Sequence, residues 1–200
     1  MTTRSETARL ISVIVHPIAF PLLALGIAVY VATGSLFDTL RYVLLASMLT
    51  TVPISILVGI QVLRHKWSDL DVSVRRQRYA LYPFGIACML ALALAFARVG
   101  APPVAVRSAL ALVLANIVNG LINFVYKVSA HSTGSAASAT LLWIAAPFFG
   151  VVLLATLGAA MVGWARVELK RHTAGQVVLG WSVGIVSMIV AQRMPLPAWL

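Results

Sequence analysis

Five stretches of this chain are each about as long and apolar as a membrane-crossing helix requires, roughly 20 residues at 1.5 Å rise each. They run from about Leu10 to Val31, Tyr42 to Leu63, Ala80 to Ala97, Ser108 to Val125, and Gly175 to Ala191. Unbroken apolar runs of this length do not alternate as the strands of a membrane barrel do, so the expected fold is all-α. A sixth apolar stretch, Ser135 to Val167, carries no charge before Arg166 and is long for one helix. Pro147 and Gly150 fall near its middle, where a helix kinks or turns. It is predicted to be two shorter helices joined around Pro147–Gly150, with one long kinked helix as the alternative. The expectation is therefore a polytopic helical bundle of six or seven membrane helices, forming a single membrane domain over residues 1–200.

Composition closes off other classes. Apolar residues make up 61% of the chain and charged residues 10%, against about 25% charged in an ordinary soluble domain. That excludes a soluble globular, disordered or collagen-like chain. A single cysteine, Cys88, excludes a disulfide framework and a cysteine zinc cluster. The net charge is +10. On a membrane protein such an excess points to anionic lipid headgroups or phosphate substrates, and not to nucleic acid.

The charges are concentrated in three polar segments: 64–78 (RHKWSDLDVSVRRQR), 127–131 (KVSAH) and 166–176 (RVELKRHTAGQ). If Ser135–Val167 is a hairpin, all three lie on one face of the bundle. They would form a basic pocket there, and ionisable residues at membrane depth are usually functional. The pocket would hold two histidines, His131 and His172, with several cations. A neutral imidazole can act as a nucleophile, and a second can protonate a leaving group. Arginine presents a planar fork that matches phosphate oxygens. This inventory fits phosphoryl transfer with no obligatory cofactor or metal.

These residues resemble the motifs of the type 2 phosphatidic acid phosphatase (lipid phosphate phosphatase) superfamily. Arg166-x5-His172, followed after three residues by Gln176, is similar to its third motif, Ser-Arg-x5-His-x3-Asp. Ala165 stands in place of the serine, and Gln176 in place of the aspartate. Ser129-Ala130-His131 resembles the Ser-Gly-His of the second motif, and Arg78 the arginine of the first, Lys-x6-Arg-Pro. Asp71 stands where the first motif has lysine. The resemblance spans roughly Arg64 to Gly184. It implies that His172 attacks phosphorus, that His131 protonates the leaving alkoxide, and that Arg78, Arg166 and Ser129 hold the phosphate. Arg75 and Lys127 join the phosphate-binding set on charge and placement. Gln176 can accept a hydrogen bond from an imidazole but brings no negative charge, so Asp71 or Asp69 is expected to support the site through an arginine or a histidine. The implied substrate is a phosphomonoester or diphosphate of a membrane lipid, phosphatidate-like or polyprenyl.

Two other functions fit the same residues. One is a magnesium-dependent prenyl diphosphate transferase using Asp69 and Asp71. The other is a non-catalytic lipid-phosphate-binding membrane protein. Asn116, Asn119 and Asn123 share a helix face and are expected to make interhelical hydrogen bonds. His16, ahead of Pro17 in an apolar run, is expected to be structural. Of the 15 Lys and Arg residues, only Arg41, Arg98, Arg107 and Arg193 fall on the side opposite the polar segments. That asymmetry favours a cytoplasmic site. The sequence sets no oligomeric state.

Overall fold

The structure, a computed structural model, describes residues 6–8 and 19–196. Seven helices of ten or more residues follow one another among these residues, and there is no strand. They are α1 (Ala19–Thr33), α2 (Leu36–Leu63), α3 (Arg78–Arg98), α4 (Pro103–Asn123), α5 (Ala130–Ala145), α6 (Phe149–Glu168) and α7 (Ala174–Arg193). Five of them, α2, α3, α4, α6 and α7, are long and apolar enough to cross a membrane; α1 is a shorter apolar helix. The Leu10–Ile18 part of the first predicted span, with His16, Arg4 and Arg9, lies outside the described residues.

Local chemistry explains where the helices start and stop. α2 begins six residues before the predicted Tyr42 because Ser35 caps it, its hydroxyl accepting the Asp38 N–H at 3.1 Å. α4 begins at Pro103, a residue suited to a first helical position. The stretch from Ser135 to Val167 does break into two helices. The gap between α5 and α6 is Ala146–Phe148, centred on Pro147. α5 itself starts earlier than Ser135, because Ser129 caps it by accepting the Ser132 N–H. Within α2, residues Ser47–Thr51 form a π turn just ahead of Pro53. Proline has no N–H to give, and the wider turn absorbs the lost bond.

The helices bury small residues and show large ones outward. Phe37, Leu121, Leu154 and Phe149 are among the exposed apolar side chains, as expected where the solvent is hydrocarbon. α5 is the central helix: Ser132, Thr133, Ser135, Ala136, Ala137, Ser138 and Ala139 are all buried. Its closest neighbour is α7, where Gly180 and Gly184 are one turn apart. A methyl group on Gly180 would stand 2.6 Å from the Ser129 carbonyl oxygen, and one on Gly184 would run into the Thr133 carbonyl. Only glycine lets the two backbones come this close. The contact sets the first turns of α5 and α7 side by side, with the polar segments just beyond them.

Candidate active site

The segment 64–77 folds back over the end of α2. Trp67 and Val72 are buried against Val58. The backbone N–H groups of Lys66 and Trp67 both donate to the Gln61 carbonyl. Asp69 organises the turn: its carboxylate accepts the Ser73 N–H, the Ser73 hydroxyl and the Ser68 hydroxyl. These bonds outweigh its burial and hold its carboxyl below the usual range. Val72 then adopts φ 47°, a left-handed conformation that a β-branched residue seldom takes. The turn separates the two carboxylates, leaving Asp69 with the serines and sending Asp71 across to the other segments.

Asp71 meets both. Its Oδ2 accepts from Arg166 Nη2 at 2.9 Å, and its Oδ1 lies 3.4 Å from His131 Nε2. The hydrogen bond from His131 is the main reason its carboxyl sits far below the ordinary carboxylate range. Burial opposes the shift, and the Arg166 cation adds to it. Arg78, the first residue of α3, is buried and donates Nε to the Val72 carbonyl and Nη1 to the Val128 carbonyl, both at 2.8 Å. It therefore ties the first segment to the second. Arg75 donates to the Phe124 carbonyl at 2.9 Å, and its own carbonyl accepts from Asn123.

The spacing of Arg166 and His172 follows from how α6 ends. The helix stops at Glu168, and Lys170 takes φ 53°, a left-handed residue just past a helix end. The chain turns back, so the Arg171 and His172 N–H groups both donate to the Arg166 carbonyl, at 3.0 and 3.1 Å. Thr173 then opens α7 with a capping box completed by Gln176. Gln176 Oε1 accepts the Thr173 N–H and also lies 3.0 Å from His172 Nδ1. An oxygen can only accept, so His172 carries its proton on Nδ1 and leaves the Nε2 lone pair free. The Gln176 carbonyl accepts the Ser129 N–H at 3.2 Å, and Lys127 Nζ donates to the Arg171 carbonyl at 2.8 Å. All three polar segments are thereby joined.

The electrostatics suit an uncharged imidazole. Burial, then the cations Arg78, Lys127 and Arg166, pull the His172 pKa down to about 3, against the opposing bond to Gln176. Burial, with Arg78 and Arg166 nearby, also lowers that of Lys127. Arg166 is 2% exposed, and its Nε–H is buried without a partner. An unmet donor on a buried cation is an open position for an anion.

The His172 shift has a consequence for stability. The folded protein holds this imidazole neutral to about pH 3, while an unfolded histidine takes a proton near 6.5. Between those values the unfolded chain binds more protons, so stability falls as the pH falls. Heat stability in detergent should decline from about pH 6.5 downward, and the His172→Gln variant should show a shallower decline. Equal slopes for the two proteins would exclude the effect.

The expected site residues fall into groups. Asp71, His131, Arg166, His172 and Gln176 are linked directly or through one another, and Lys127 and Arg78 border them. Ser129 is fully buried, and its hydroxyl is used by the α5 cap and by Ser132. The bonds made by Arg75 and Asp69 face neighbouring backbone and serines. The sequence reading missed Arg171, whose guanidinium lies 3.9 Å from Asp69 and 4.0 Å from Asp71 and donates to the Ser73 hydroxyl. Its place beside His172 was the available signal. Two of the three asparagines make the expected interhelical bonds, Asn119 to Thr133 of α5 and Asn116 to Met89 of α3, whereas Asn123 donates to the Arg75 carbonyl in the first polar segment.

Beneath the site, a cavity of about 490 Å³ opens among Asp71, Arg78 and His131 and runs into the bundle as far as Phe96 and Met188. A larger hollow of about 700 Å³ lies between α5, α6 and α7 and touches none of the candidate residues. Among the described residues, no three His, Cys, Asp or Glu side chains gather as a metal site would.

Residues 121–199 match the family model of the PAP2 superfamily. This part of the chain is similar to PAP2 superfamily proteins. The matched stretch contains two of the three polar segments, with His131, Arg166 and His172, while Arg78 and Asp71 precede it. No curated protein and no solved structure matches the chain. PAP2 superfamily members are generally phosphatases, and the match supports a phosphatase-type activity on phosphate esters. Its long apolar helices fit an integral membrane protein.

Proposed function

We propose that this protein is a lipid phosphate phosphatase of the PAP2 type in which His172 is the nucleophile. The observation that carries this reading is the state of His172. It is a neutral imidazole with Nε2 free, set among Arg78, Lys127 and Arg166, the last with an unmet N–H. In the first step the Nε2 lone pair forms a bond to phosphorus and the bond from phosphorus to the lipid oxygen breaks. His131 gives that oxygen its proton. In the second step water attacks the phosphohistidine, His131 takes the water's proton, and inorganic phosphate leaves. Arg166, Arg78 and Lys127 neutralise charge on the phosphoryl oxygens. Arg75 and Ser129 act on the phosphate through the backbone they hold. Asp71 orients His131, and Asp69 shapes the turn that carries Asp71. Gln176 fixes the His172 tautomer, the part of the family aspartate's task that needs no charge.

Counted with α1 and α5, the bundle has seven membrane helices. The excess of Lys and Arg on the side of the polar segments supports a cytoplasmic site. The substrate is a phosphomonoester or diphosphate carried by a membrane lipid. The test is phosphate release from lipid phosphates and diphosphates in detergent, with and without EDTA. Release that withstands EDTA is the expected result. Release abolished by EDTA would move the reading to the magnesium-dependent transferase through Asp69 and Asp71. Binding without release would move it to a lipid-phosphate-binding protein.

A further inference from the structure

The larger hollow, away from the polar segments, has a shape and a charge of its own. α6 meets α7 at Gly163, where an added methyl would run into the Trp181 ring and stand 2.8 Å from Val177. Beyond that contact, toward the end of the bundle opposite the candidate site, the two helices part. The hollow of about 700 Å³ fills the gap, with α5 behind it. It reaches from Trp181 to Arg193, the last residue of α7. That stretch of helix is about 18 Å long at 1.5 Å per residue. It matches the depth of one leaflet, since a whole hydrocarbon core is roughly 30 Å thick.

The lining changes along that length. Ala160 and Ile185 form part of the open wall, both exposed. Thr140 and Thr156 line it too, but their hydroxyls donate to carbonyls of their own helices, at 2.8 and 2.9 Å. Near the outer end stands Trp143, an aromatic suited to the membrane interface. Gln192 is there as well, but its amide nitrogen is taken up by the Val104 carbonyl and the Ser108 hydroxyl of α4. What remains is the Arg193 guanidinium. It is exposed, and among the described residues it has neither a hydrogen-bond partner nor a carboxylate beside it. Arg107 of α4 steadies the helix end that carries it, donating to the Met194 carbonyl at 3.1 Å.

An apolar channel one leaflet deep, closed inside and cationic at its mouth, is complementary to an amphiphile with a hydrocarbon tail and an anionic head. A membrane helix of a second copy would need a face running through the whole core, and this hollow closes part-way, where Trp181 meets Gly163. We infer that it binds an anionic phospholipid of the leaflet opposite the candidate site, with an acyl chain between α6 and α7 and the phosphodiester at Arg193. The chain props apart the outer halves of two helices whose inner ends lead to Arg166 and His172. The inference does not depend on what chemistry the candidate site performs.

The test uses dioleoylphosphatidylglycerol and dioleoylphosphatidylcholine, which share their tails and differ in net charge. Both are phosphodiesters, outside the substrate class proposed above. Melting temperature in detergent is followed as each lipid is titrated, for wild type, Arg193→Gln and Ala160→Phe. Wild type should respond to both, at about fivefold lower concentration of the anionic lipid, the effect of one cation near a headgroup. Arg193→Gln should respond to both lipids equally. Ala160→Phe sets a ring into the open hollow; it should melt like wild type without lipid and lose the response to either. No response of wild type, an equal response to the two lipids, or a preference that survives Arg193→Gln overturns the inference; the last would move the lipid to the polar segments. A full response in Ala160→Phe also overturns it. So does a wild-type dimer in detergent that Ala160→Phe turns into a monomer, which would give the hollow to a second copy.

Discussion

His172→Ala is expected to reduce lipid phosphate release by at least about a thousandfold, as removal of a nucleophile does elsewhere. The structure separates this outcome from unfolding. The turn that carries His172 is held by backbone bonds to the Arg166 carbonyl and by the Thr173–Gln176 capping box, and none of these needs the imidazole. The heat stability of the variant should stay within about 2 kcal/mol of wild type. The two measurements belong together: release against a lipid phosphate, and a melt in the same detergent. A variant that melts like wild type and still releases phosphate would remove His172 from the mechanism. In that case Gln176 would be only a helix cap, and the tautomer it fixes would have no catalytic use.

Gly184→Val should have the largest effect on the fold. α5 and α7 meet backbone to backbone at this position, and even a methyl there overlaps the Thr133 carbonyl. Relief requires the two helices to part, so the expected loss is more than about 3 kcal/mol, in the range seen for overpacked cores and beyond. Size-exclusion chromatography in detergent should show little monodisperse protein. Normal yield with a normal melt would mean that the helices are not packed as described. The milder Gly180→Ala, beside the Ser129 carbonyl, links packing to chemistry. The first turn of α5 carries His131, and the residues leading into α7 carry His172. A small separation there loosens the bond from the Ser129 N–H to the Gln176 carbonyl, so activity should fall before stability does.

What the sequence revealed and what it hid divide along the range of the forces involved. Arg166 and His172 were legible because a helix end and one left-handed residue, all within seven positions, fix their relation. The break at Pro147 was legible for the same reason. Asp71 could be suspected but not placed, since its reach depends on the φ of Val72 and on the Asp69–serine bonds that set the turn. Arg78 was expected at the phosphate, yet two of its N–H groups bond backbone carbonyls 6 and 50 residues away. Such commitments leave no mark on local spacing. The polar cavity was hidden most fully. Tyr82 and Thr51 each look ordinary in an apolar helix, and only the packing of α2 against α3 brings them to one cavity.

The seat of Asp71 also bears on how a cycle would end. Arg166 and His131 already share a tethered carboxylate, so the resting site carries its own counter-ion. An incoming phosphate that takes the open Arg166 Nε–H competes with that group for the guanidinium, and the group regains it when the phosphate leaves. Because it is attached to the chain, its local concentration stays constant however much product builds up outside. Free phosphate at millimolar levels would then be a poor inhibitor, and turnover in a membrane crowded with anionic headgroups would be protected by an anion of the protein's own.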